Sequence, residues 1–172
     1  MKRISLLSAV AILTTPFASA RLGDTPSQCV ERYGESLQPL DVKNVEDGAY
    51  AAFNMKGYKI GIQFVSGKCV SISYNKINRE LKLSYDEIIT LMKANKDAGY
   101  WKKVQSPAKG RQQWENKEFK YKADYFTRSG FFLIKSKDSE LFAKKKEREK
   151  SAADSKRKAE KAKSDAANLK GF

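Results

Sequence analysis

The chain has 172 residues, with 34 Lys and Arg against 20 Asp and Glu and a formal net charge of +14. It has two cysteines and no histidine. That excludes Ser–His and Cys–His nucleophile activation, any histidine general base, and a four-ligand structural zinc site; no catalytic residue, cofactor or metal is predicted.

Lys2 and Arg3 precede an apolar run from Ile4 to Leu13, Pro16 breaks it, and Ala18-Ser19-Ala20 supplies small residues for a signal peptidase. Residues 1–20 therefore read as a cleaved secretory signal peptide, too short to act as a stop-transfer helix. The mature chain from Arg21 has 152 residues and a charge of about +12. No cysteine follows the cleavage site to carry a lipid, so the product is expected to be soluble, in the periplasm or outside the cell. No membrane span is expected after cleavage, and cytoplasmic nucleic acid is not an expected partner.

A short helix is predicted after Thr25. Thr25 is placed as N-cap, Pro26 at N1, and Gln28 at N3 to complete a capping box; Gly34 stands where a left-handed residue ends the helix. Val30 and Tyr33 share its inward face, with Cys29 beside them. Strands follow at Ala49–Met55, Tyr58–Val65 and Cys69–Asn75. A Lys56-Gly57 turn sets Ala51, Phe53 and Met55 opposite Ile62, Ile60 and Tyr58. At the next hairpin a two-residue Ser66-Gly67 turn pairs Phe64 with Cys69 but misplaces Val70, Ile72 and Tyr74. A three-residue loop buries those three and turns Cys69 away. A bulge near Lys68 reconciles the two registers. In an oxidising compartment Cys29 and Cys69 read as a disulfide closing a 41-residue loop. The rival reading is two buried free thiols.

A second helix is predicted from Ser84, with Glu87 at N3 as its capping box and Leu83 and Ile88 as a hydrophobic staple, ending at Gly99. Strands are then expected at Gly99–Val104, Arg111–Asn116, Phe119–Arg128 and Gly130–Ser136, with Trp101 and Trp114 in the core. The fold class is α+β: short capped helices on one face of a mainly antiparallel sheet, arranged as two helix-plus-meander halves over residues 21–142.

The run Leu22-Gly23-Asp24-Thr25-Pro26-Ser27-Gln28-Cys29-Val30-Glu31-Arg32-Tyr33-Gly34, followed by short antiparallel strands, resembles the small envelope proteins of the SmpA/OmlA type. The tandem order of helix then strands is similar to the beta-lactamase inhibitory protein fold. The resemblance implies a non-catalytic protein-binding module and carries over no functional residue.

From Ala143 to the end there are 11 Lys and Arg against 5 Asp and Glu. This basic Lys/Ala-rich tail reads as a solvated helix or a disordered arm. Ala152, Ser155, Ala159, Ala162, Ala166 and Leu169 fall at heptad spacing, a seam too small to hold a coiled coil alone. Lys120 and Lys122 are expected on the outward face of a strand, among aromatics and near Lys102 and Lys103. With Lys144, Lys145, Lys146, Arg148, Arg157 and Lys158 they are the candidates for binding an anionic surface. Two functions are expected from this: a non-enzymatic exported module binding an envelope protein, or an electrostatic binder of an anionic polymer or membrane surface.

Overall fold

In the computed structural model, residues 21–95 and 99–169 are described, with side chains as far as Lys161. The signal-peptide reading of residues 1–20 lies outside them.

Helix α1, Pro26–Tyr33, opens with Thr25 as N-cap and a complete Thr25/Gln28 capping box, and closes on Gly34 at φ +81°. It buries Cys29 and Tyr33. Three strands follow: β1 (Tyr50–Met55), β2 (Tyr58–Val65) and β3 (Lys68–Lys76). Both hairpin turns place two successive residues in the left-handed region, Lys56-Gly57 and Ser66-Gly67, as tight two-residue turns require. Helix α2, Tyr85–Ala94, carries the Ser84/Glu87 capping box. Next come β4 (Lys102–Val104), β5 (Arg111–Asn116), β6 (Tyr121–Phe126), β7 (Phe131–Lys135) and a long helix α3 (Lys137–Leu169).

The seven strands form one antiparallel sheet in the order β1-β2-β3-β7-β6-β5-β4. Each half contributes a meander, and the halves join where β3 pairs with β7. Side chains of period two divide the sheet into two faces. The inner face, with Phe53, Ile62, Ile72, Trp114, Phe132 and Ile134, forms one core with Cys29 and Tyr33 of α1 and Ile88 and Met92 of α2. The α+β architecture follows.

The bulge expected near Lys68 is present: Gln63 pairs with Ser71 and Phe64 with Cys69, leaving Val70 as the extra residue, so the Ile62–Ile72 pairing holds on one side of it and the Phe64–Cys69 pairing on the other. Three other expectations are corrected. Helix α2 ends at Ala94, not Gly99, because Asn95 closes it. The Asn95 side-chain amide donates to the Leu91 carbonyl at 3.0 Å, and its Oδ1 accepts from the Leu22 N–H at 3.3 Å. Strand β6 starts only at Tyr121, because Lys120 adopts φ +55° in the preceding turn. The charged helix begins at Lys137, not after Phe142, and Phe142 packs over Gly48, where a Cβ would stand 2.7 Å from its ring.

Candidate functional site

The outer face of the sheet is unevenly covered. At the β2–β3 hairpin end the first turns of α3 lie on it, held by charge. Glu140 meets Lys122 at 3.1 Å and Lys135 at 3.4 Å, while Lys135 reaches Asp124 at 3.8 Å. Asp124 is almost fully buried beneath Arg111, at 2.8 Å, and Gln113, at 2.8 Å. Burial opposes charge on Glu140, but the bonds from Lys122 and Lys135 outweigh it and hold its carboxyl below the usual range.

The other end of that face is open and forms a groove of about 580 Å³. Register explains its floor. Asn54 faces Lys59, and Lys59 faces Asn75, so one outward row crosses three strands. The next row is made of small residues, Ala52, Gly61 and Ser73. The Tyr50 ring folds over Gly61, where any Cβ would fall on its hydroxyl and against Ser73 Oγ. Tyr50 and Leu37 wall one side. Phe131 from β7, with Ile77, Arg79 and Leu81 from the β3–α2 connection, walls the other. Leu37, Tyr50, Ile77 and Leu81 are each about half exposed, at 50–57%.

The groove's charge is of one sign. Its lining holds Lys59, Lys76 and Arg79 and no carboxylate. Lys76 is already engaged: its ammonium bonds Glu87 and lies 4.5 Å over the Tyr58 ring. Tyr58 donates to the same carboxylate, and the Ser84 N–H reaches it at 2.8 Å. Burial works against the charge on Glu87, yet these bonds hold its pKa at about 2. The carboxylate in turn raises Lys76. Lys59 and Arg79 are exposed and make no ion pair among the described residues.

The basic residues singled out from the sequence do not gather into one site. Lys102 and Lys103 lie on the edge strand β4, where Lys103 donates to Gln112 at 3.1 Å and sits 5.8 Å over the Trp114 ring. Lys122 is bound to Glu140. Lys120 lines a second hollow, at the root of α3, with Lys68, Lys137, Phe119 and Leu141. Lys144, Lys145, Arg148, Arg157 and Lys158 are exposed along α3, and Lys146 pairs with Glu149 at 3.4 Å. Lys59 and Arg79 were missed. The available signal was the outward alternation of Asn54, Lys59, Ser73 and Asn75 beside outward Tyr50 and Phe131.

Cys29 and Cys69 are free thiols in the structure, so the expected disulfide is not formed there; both are buried. Burial pushes the Cys69 thiol well up, and contact with the Cys29 thiol adds to the push. Burial also raises the Tyr33 phenol, with Tyr74 and the two cysteines contributing. Among the described residues no cluster of metal-binding side chains occurs, and no helix is long and apolar enough to cross a membrane.

Comparison with protein-family models, curated proteins and solved structures returned no match to this chain.

Proposed function

We propose that this chain is an exported, non-enzymatic module that binds another envelope macromolecule, a protein, through the groove on the outer sheet face. The observation that carries the reading is the groove itself. Exposed apolar walls surround a polar floor, and two cations of the lining, Lys59 and Arg79, make no ion pair among the described residues. Concave sites of this size, mixing apolar walls with a few polar groups, are the usual form of a recognition surface. The leader-like residues 1–20 support export, and the resemblance to SmpA/OmlA-type envelope proteins points to the same kind of role. In an oxidising compartment Cys29 and Cys69 then close into a disulfide; their burial in one core cluster supports that pairing.

Site-specific photo-crosslinking in cells tests the binding role. A crosslinker in place of Tyr50 or Phe131 should give a discrete envelope-protein adduct, and one in place of Lys109, outside the groove, should not. Equal yields at all three positions, or none, would remove the reading. N-terminal sequencing of the secreted or periplasmic product should begin at Arg21; retention of Met1 in a cytoplasmic fraction would remove export.

A second reading, binding of an anionic polymer or membrane surface, is favoured by the exposed lysines of α3 and by the hollow of Lys68, Lys120 and Lys137 at its root. It predicts vesicle binding that weakens steeply with salt and is lost without residues 143–172. Binding unchanged by salt or by that truncation would exclude it.

A further inference from the structure

We infer that the outer-face groove takes an acidic peptide segment of the partner protein, with carboxylates on Lys59 and Arg79 and an apolar side chain between Tyr50 and Phe131. The inference rests on the groove being the docking site. Three observations specify the occupant.

The first is charge. The lining carries cations and no carboxylate, and its third cation, Lys76, is already neutralised by Glu87. Lys59 and Arg79 are left as the charges a ligand must meet. An anionic ligand answers them, whereas a neutral one leaves two ammonium and guanidinium groups to be partly desolvated without a partner. Arg79 offers the forked donor set that matches a carboxylate, and Lys59 a point charge.

The second is the floor. Asn54 and Asn75 flank Lys59 in one cross-strand row, and Ser73 lies in the next. Each amide presents a donor and an acceptor together, the complement of a peptide unit. The Ser73 hydroxyl already donates to the Gly61 carbonyl at 3.3 Å, but an acyl chain would bury the Asn54 and Asn75 amides with nothing to bond.

The third concerns what does not fit. The chain's own C-terminal arm is basic, with 11 Lys and Arg against 5 Asp and Glu, and a second mature copy carries the same charge of about +12. Both repel a cationic groove, so the occupant belongs to another protein.

Selection from an unbiased random 12-residue peptide display library, on the full mature chain, tests this. Recovered sequences should be enriched in Asp and Glu and contain an aromatic or aliphatic residue. In fluorescence anisotropy, the best peptide should lose tenfold or more in affinity when its carboxylates become amides. It should lose as much against Lys59→Glu/Arg79→Glu, and nothing against Lys93→Glu/Lys109→Glu, each variant first shown to retain its thermal midpoint. Neutral or basic selected sequences, no enrichment, or equal binding by the amide form would overturn the inference. If crosslinks from Tyr50 or Phe131 map to a partner segment without acidic residues, the groove stands as the docking site and only the acidic occupant falls. If no groove crosslink forms, the docking site itself falls.

Discussion

Glu87 does three jobs with one carboxylate. It completes the cap of α2, accepts from Tyr58 at the start of β2, and pairs with Lys76 at the end of β3. Helix start and hairpin end are thereby tied at one atom group. Its pKa is held at about 2 in the folded chain against an ordinary 4.5, so its contribution is complete above pH 4.5 and is lost as pH falls through 2. Glu87→Gln should cost about 2 kcal/mol at neutral pH. Urea midpoints measured from pH 2 to 7 should slope less steeply in acid for the variant than for the parent. Gly61 is the opposite kind of residue, one that matters for the space its missing side chain leaves. With the Tyr50 hydroxyl lying where its Cβ would be, Gly61→Val should displace Tyr50 and cost about 1–3 kcal/mol by overpacking. Denaturant midpoints give the cost, and groove crosslinking at Phe131 should fall with it.

At the scale of elements, α3 is two different helices in sequence. Its base is anchored by Ser139 (9% exposed), by Phe142 over Gly48, and by Glu140 on Lys122 and Lys135. From Ala143 to Lys161 every residue is exposed, and the helix is held by its own hydrogen bonds and surface ion pairs such as Lys156–Glu160 at 4.0 Å, each worth little. Removing residues 143–172 should therefore leave unfolding cooperative and change stability by no more than about 0.5 kcal/mol, while the 222 nm circular dichroism falls. The anchor is another matter. Asp124 holds Arg111 and Lys135 from a position 2% exposed, and Asp124→Ala would leave both cations without it. A loss of about 3 kcal/mol is expected from chemical denaturation, with faster amide exchange in the first turns of α3. A variant as stable as the parent would show that the network is only a surface pairing.

The whole molecule is two meanders sharing one sheet, with two capped helices closing one face and the base of α3 closing part of the other. The uncovered part is the groove. The two cysteines belong to this scale, because one lies in α1 and the other at the start of β3. If oxidised glutathione takes their two hydrogens and two electrons, the resulting disulfide closes a 41-residue loop and is worth about 4 kcal/mol in the chain-entropy account. The exported protein should then show no free thiol when denatured, and its thermal midpoint should fall on adding dithiothreitol. Two titratable thiols and an unmoved midpoint would show the reduced core to be the native one.

Both helix starts, the Lys56-Gly57 hairpin turn and the inward alternation of the strands were legible in the chain itself, because capping, left-handed turns and period-two burial act between residues close in sequence; the Ser66-Gly67 turn was left open between two loop lengths. Arg111–Asn116 and Tyr58–Val65 are strands at the residues expected. The ends of elements were less legible where a distant group decides them: Asn95 closes α2 partly through Leu22, and Lys120 leaves the strand for a turn. The candidate site was not legible. Lys59 and Arg79 are ordinary surface cations in sequence, while Lys122, which looked free, is paired with Glu140. What the sequence by itself determined is local: where helices begin, which strand face is apolar, and how the charge is spread. Only the tertiary structure decided which cations stay unpaired and which part of the outer face stays open. Pairing between residues far apart in the chain depends on sheet order, and β3 meeting β7 is written in no single segment.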